Sequence, residues 1–216
     1  VNAMRGHAAE MGVVAPLGAK GLSELKAEIA VADDAAVPPA AKPAIALLGR
    51  EADHITMRLR AIDDRLMQQH KANPVSRRLA QIPGVGPITA LNLALRVETR
   101  QFRSARHFAA WLGLVPRECS TAGRQRLGGI SRAGDERLRQ LLVVGATAVI
   151  QHAKPGRRTA SPPVQASQAR GRLWLLALLG RKPRKLAAVA LANKTARIVW
   201  AMMTSGEAYR PQPVAA

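Results

Sequence analysis

Ser120 and Thr121 stand side by side in the segment PRECSTAGRQRLGGISRAGDERLR, which runs from Pro116 to Arg139. Both are hydroxyls able to attack phosphorus. Arg117, Arg124, Arg126, Arg132, Arg137 and Arg139 share the segment with four glycines. Guanidinium groups offset the charge that builds on phosphate oxygens during phosphoryl transfer. Glycines allow a backbone to approach a ligand closely. Little of the segment is apolar, so it has no core of its own to build. It reads as a catalytic loop or as a basic loop that only holds phosphates.

A second constellation lies upstream. In SRRLAQIPGVGPITALNLALRV, residues 76–97, an apolar helix end meets Pro83-Gly84-Val85-Gly86-Pro87, and a second helix is expected from Ile88. The first N–H groups of such a helix have no partner inside it. With the helix dipole behind them they hold a phosphate without reading sequence. Gly84, Val85, Gly86 and Thr89 are the candidate contacts. The string resembles a helix-hairpin-helix DNA-binding motif; the alternative is a tight helix–helix turn with no ligand.

The elements that must position these groups read as helices. Residues 1–12 form one, stopped by Gly12, and a second fits between about Gly21 and Ala32 among breaking prolines and glycines. Ile45, Leu48, Ala52, Ile55, Leu59, Ile62 and Leu66 are spaced alternately by 3 and 4 residues, with charged residues between them. That is a heptad seam. It packs inside the monomer or forms a coiled-coil arm with another helix or subunit, and it should end near Asn73-Pro74. Residues 102–114 give a helix capped by Ser104, with Phe102, Phe108, Trp111 and Leu112 facing the core. Asp135 starts another, whose buried stripe is Leu138, Leu141, Leu142, Gly145 and Val149. Arg137 and Arg139 are expected off that stripe, free to reach a phosphate. Lys, Arg, Ser, Pro and Gln dominate residues 153–171, which read as a flexible basic linker. A short helix over 173–180 and a last one over 184–204, stopped by Gly206, complete the chain. No strand series is evident.

The expected fold is therefore mainly α: a helical arm or coiled coil, then a compact helical domain containing a helix-hairpin-helix-like motif. The divisions expected are a helical linker and arm at 1–74, a core with the serine loop at 75–152, the linker at 153–172 and C-terminal helices at 173–210.

Composition narrows the partner. Apolar residues make up 48% of the 216 residues but aromatics only 3%, which suits helices packed through Ala and Leu. Residues 1–70 hold 8 Lys/Arg against 9 Asp/Glu, a net of −1; residues 71–216 hold 25 against 5, a net of +20. A charge so placed points to a polyanion. No long uncharged apolar run marks a membrane span, and the N-terminus lacks a signal-peptide core. The single cysteine, Cys119, excludes an internal disulfide framework and fits a reducing compartment. No Cys/His spacing resembles a metal site. Asp33-Asp34 and Asp63-Asp64 are adjacent pairs, read as solvated charge.

Taken in order, IPGVGPITA, FRSARHFAAWLGLVPRECSTAGRQRLGGISRAGDERLRQLLVVGA and VALANKTARIVWAM with GEAY resemble the C-terminal part of the DEDD transposases of bacterial insertion sequences, the bridge-RNA-guided serine recombinases. The resemblance covers roughly residues 1–152 and 173–210. It implies an N-terminal RuvC-like domain with acidic ligands for Mg²⁺, a coiled-coil region and a transposase domain with an essential serine. It implies DNA cleavage through a covalent phosphoserine link, completed by the metal domain of another subunit and directed by a structured RNA. On this sequence the serine falls on Ser120, with Thr121 as the fallback. Arg117, Arg124, Arg126, Arg132, Arg137, Arg139 and Lys194 are then the DNA contacts. No His or carboxylate occupies an obvious base position for Ser120. Ala122 departs from the glycine usual in the family.

The sequence carries no RuvC-like constellation, so the chain binds no metal of its own and is expected to be inactive alone, as a truncated or decayed element or half of a split gene. DNA, a guide RNA and further copies of the chain are the expected partners, and the bacterial cytoplasm at the nucleoid the expected place. The alternatives are a non-catalytic nucleic-acid-binding remnant and a helix-hairpin-helix subunit of a repair complex.

Overall fold

The structure is a computed structural model, and it describes residues 2–32, 36–121, 124, 126–153 and 166–210. The chain divides into two compact units, Val1–Arg65 and Leu66–Ala216. The described residues are mainly helical, with one two-stranded sheet.

In the first unit α1 (Asn2–Glu10), α2 (Gly18–Val31) and the start of α3 (Ala41–Ala72) enclose a small core of Met4, Ala8, Val13, Ala15, Leu25, Ile29, Val37 and Ile45. Gly12 ends α1 with φ at 80°, the conformation that favours glycine. Lys26 of α2 reaches Asp53 of α3. The heptad seam divides after its first residue. Ile45 is buried, whereas Ile55, Leu59 and Ile62 are 49%, 56% and 51% exposed. Among the described residues the middle of the apolar stripe of this 32-residue helix is thus left largely open to solvent. Asp33 and Asp34 lie outside the described residues.

The second unit begins at Leu66, within the last turns of α3, which stops at Ala72. Asn73 then caps α4 (Pro74–Leu79) by accepting a hydrogen bond from the Ser76 N–H, with Pro74 at the first helical position. α5 (Pro87–Arg96), α6 (Ala105–Trp111), α7 (Glu136–His152), α8 (Ala166–Leu179) and α9 (Arg184–Ser205) follow. Ser104 caps α6 and Asp135 caps α7, each through its side chain. α9 is the central helix and packs on α4, α6, α7 and α8. Its buried face is Ala187, Ala188, Ala192, Thr195, Ala196, Val199 and Met202, small enough for neighbouring helices to come close. α9 is long and apolar enough to cross a membrane by length and composition alone, but that face is buried in the unit. After the left-handed cap at Gly206, the GEAY segment folds back on α4. The Gly206 carbonyl accepts from Arg78, and the Tyr209 N–H donates to Gln81. Burial pushes the Tyr209 phenol up from its ordinary value.

Three expectations are corrected. α8 starts at Ala166, inside the expected linker, and residues 154–165 lie outside the described residues. Trp111 is 36% exposed, although its ring contacts Phe102 and Phe108 in the core. Arg139 is only 9% exposed and lies on the buried side of α7 with Leu138 and Leu142.

Candidate catalytic loop and nucleic-acid interface

The basic segment is a β-hairpin. β1 (Pro116–Glu118) pairs antiparallel with β2 (Leu127–Ile130), with Pro116 opposite Ile130 and Glu118 opposite Leu127. Two steps along β1 therefore face three along β2, and Gly128 and Gly129 occupy this bulge. Beyond the strands the Cys119 N–H donates to the Arg126 carbonyl, and Thr121 and Arg124 close the tip with a bond from the Arg124 N–H to the Thr121 carbonyl. Ala122, Gly123 and Gln125 lie outside the described residues.

Ser120 is exposed just before this tip. Its Oγ accepts from the Arg126 N–H at 3.2 Å and donates to Glu118 Oε1 at 3.2 Å. A carboxylate therefore does occupy a position from which to take the Ser120 proton, contrary to the sequence-based expectation. An extended strand places residues two apart on one side. That spacing was the available signal, but the proline, glutamate and glycines of these strands are poor strand formers and the strands are three and four residues long. The hydroxyl of Thr121, the alternative nucleophile, is likewise on an exposed residue.

The base of the hairpin is clamped to the helices. The Ser131 N–H donates to the Val115 carbonyl, and the Arg132 N–H to the Gly113 carbonyl at 3.2 Å. Arg132 has φ at 55°, a left-handed conformation costly for a residue with a side chain. A side chain at Gly134 would place its Cβ 1.8 Å from the Trp111 carbonyl oxygen, so only glycine fits there. Below this junction Arg139 Nη1 donates to the carbonyls of Leu112 at 3.1 Å and Ala133 at 2.7 Å. Arg139 is thus a structural tie between α6, the hairpin base and α7, with its charge inside the unit. Asp135 caps α7 with one oxygen and holds Arg96 at 2.9 Å with the other.

The remaining arginines of the segment face solvent: Arg117, Arg124, Arg126, Arg132 and Arg137 are all exposed. Arg117 is steadied by a bond from Nη2 to the Ser131 carbonyl at 3.2 Å. Lys194 is half-buried, with its ammonium 4.6 Å above the Trp174 ring.

The upstream turn is built by close approach. Gly84 (φ 85°) lies against α7, and a Cβ on Gly145 would come within 1.8 Å of the Gly84 carbonyl oxygen. Val85 and Thr89 are buried, and the Val85 N–H already donates to the Ile82 carbonyl, whereas Gly86 and Ile88 are exposed. Gly86 precedes Pro87 at the start of α5, where no side chain caps the helix. No hydrogen bond or ion pair among the described residues joins Gly84–Thr89 to the hairpin. Among the described residues no three His, Cys, Asp or Glu side chains gather into a metal-holding group.

Similarity to known proteins now adds to the geometry. A family model described as Transposase IS116/IS110/IS902 family matches residues 76–161, which include both the turn and the hairpin. A putative transposase of Sinorhizobium fredii, y4pF/y4sB, is 49% identical over 97% of this chain and 51% of its own length. A probable family 20 transposase of Pseudomonas aeruginosa is 38% identical over 97% of this chain and 60% of its own. The transposase for insertion sequence element IS1111A of Coxiella burnetii is 35% identical over 97% and 55%. The chain thus spans between half and two thirds of the length of these relatives. Within that span it is similar to transposases of the IS116/IS110/IS902 family.

Proposed function

We propose that this chain is the serine-bearing part of a transposase that cuts and rejoins DNA through a covalent phosphoserine link. The observation that carries the reading is Ser120, an exposed hydroxyl held by two hydrogen bonds just before the tip of a hairpin that bears Arg117, Arg124 and Arg126, with Arg132 and Arg137 exposed just after it, five surface arginines that can meet a phosphate backbone. The similarity to transposases supports the same reading. The family resemblance adds Mg²⁺ on a RuvC-like domain and a guide RNA that selects the target. No three His, Cys, Asp or Glu side chains among the described residues gather to hold such an ion. The exposed, uncapped start of α5 at Gly86–Ile88 offers a second place for a phosphate.

DNA binding has a quantitative signature. Five arginines each neutralising a phosphate give a log–log salt slope of about −4.5, or a loss of roughly five-hundred-fold in affinity between 50 and 200 mM salt. Titrating a labelled duplex across that range measures it, and an affinity indifferent to salt would remove the nucleic-acid reading.

The exposed seam of α3 supports a second copy of the chain as partner. Ile55, Leu59 and Ile62 repeat at heptad spacing on a helix that buries only its first seam residue, and charged residues flank them. Sedimentation should show a dimer or larger assembly that Leu59→Lys with Ile62→Glu converts to monomer. A wild-type chain that stays monomeric at high concentration sinks this part.

A further inference from the structure

Ser120 is held in a way that assigns a role to a neighbouring side chain. In the hairpin the Cys119 N–H donates to the Arg126 carbonyl, and the return bond from the Arg126 N–H goes to Ser120 Oγ. With that lone pair occupied by a donor, the hydroxyl's own proton is directed at Glu118 Oε1, 3.2 Å away. Three features make the pair a consequence of the fold. Glu118 closes β1 in register with Leu127, which fixes its backbone. Ser120 lies two residues on, so both side chains leave the same side of the extended chain. Oγ is in turn tied to the opposite arm through Arg126. Glu118 is exposed and makes no ion pair among the described residues, so its carboxylate is available to Ser120.

We propose that Glu118 is the general base for Ser120. The inference rests on the reading of Ser120 as the nucleophile. In the step, an Oγ lone pair forms the O–P bond and the Oγ proton passes to Glu118 Oε1. The phosphorus–oxygen bond to the departing deoxyribose breaks, and its electron pair stays on that sugar oxygen, which takes a proton from water. In the reverse step the sugar hydroxyl attacks phosphorus and loses its proton to water, the Oγ–P bond breaks with its pair on Oγ, and Glu118 returns the proton to Oγ. The Arg126 N–H donates to Oγ throughout, which favours the alkoxide-like oxygen of the attacking state. General-base assistance of this kind contributes about a hundred-fold or more to rate.

The test uses this chain joined to the portion of the Sinorhizobium relative that it does not cover, with Mg²⁺, RNA and a labelled DNA duplex, and follows the covalent adduct on denaturing gels. Glu118→Gln keeps an oxygen that accepts the Ser120 bond but cannot take its proton. It should slow adduct formation about a hundred-fold at saturating DNA, with DNA affinity and thermal unfolding unchanged. Glu118→Asp restores a carboxylate and should recover the rate to within about ten-fold of wild type. A Glu118→Gln protein that forms adduct within about three-fold of the wild-type rate overturns the inference and leaves the nucleophile in place. An unfolded Glu118→Gln protein, or a Glu118→Asp protein as slow as Glu118→Gln, also overturns it, because the role is then one of hairpin geometry. Failure of the underlying reading looks different: the wild type gives no adduct, or Ser120→Ala still gives one.

Discussion

Ser120→Ala is expected to abolish the covalent protein–DNA adduct, a loss of more than about a thousand-fold in its rate of formation. Thr121→Ala should leave the adduct within about ten-fold of wild type. The two residues are adjacent and both exposed, so composition does not separate them. Their hydrogen bonding does. Ser120 Oγ lies between a backbone donor and a carboxylate. Thr121 contributes its carbonyl to the tip turn. A primary hydroxyl also reaches phosphorus along an in-line path with less obstruction than a β-branched one. The measurement is the adduct on denaturing gels, followed by mapping of the modified residue by mass spectrometry. Adduct persisting in Ser120→Ala and vanishing in Thr121→Ala would move the nucleophile by one position. DNA binding without any adduct would favour a non-catalytic nucleic-acid-binding protein.

The second large effect concerns the fold. Gly145→Ala should destabilise the second unit by about 3 kcal/mol, because the added methyl meets main chain and not a side chain that could rotate away. The Gly84 carbonyl oxygen would be 1.8 Å from the new Cβ and its carbonyl carbon 2.9 Å. Relief requires α7 and the turn before α5 to separate, which opens the core around Val85 and Ala146. For a unit of this size the melting temperature should fall by roughly 10 °C. Gly171→Ala is the control. Its Cβ meets nothing within 4 Å on α8, so the substitution should be neutral or slightly stabilising. Calorimetry on both variants decides the matter, and a Gly145→Ala protein that melts within about two degrees of wild type would show that the contact yields easily.

These two residues also show what was legible in the sequence. Helices announce themselves by period and by caps: Gly12, Asn73, Ser104, Asp135 and Gly206 all mark ends where the sequence suggests them. Close approach is half legible. Gly84 and Gly86 stood out as a turn, and Gly145 as part of a buried stripe, but nothing in the chain says that Gly84 and Gly145 meet. The hairpin was not legible at all, since a loop rich in Arg and Gly lacks the alternation that identifies a strand. Glu118 was missed for that reason. Its closeness to Ser120 depends on an extended backbone that the local residues do not favour and that pairing with Leu127–Ile130 and the clamp at Gly113 and Gly134 impose. Arg139 was misplaced because its charge suggested solvent. Two backbone carbonyls compensate its burial, and one of them, that of Leu112, belongs to a residue 27 positions away.

That buried guanidinium separates the basic residues of this protein into two kinds that substitution would treat differently. Arg124 at the hairpin tip is exposed and valued for charge, so a lysine there keeps what a phosphate meets. Arg139 is valued for tolerating an interior position. A guanidinium spreads its charge over a weakly hydrated plane, whereas an ammonium is compact and strongly hydrated and resists leaving water. Arginine-to-lysine drift would leave the formal charge of +19 untouched at either position, yet at one of them it would loosen the junction on which the hairpin stands.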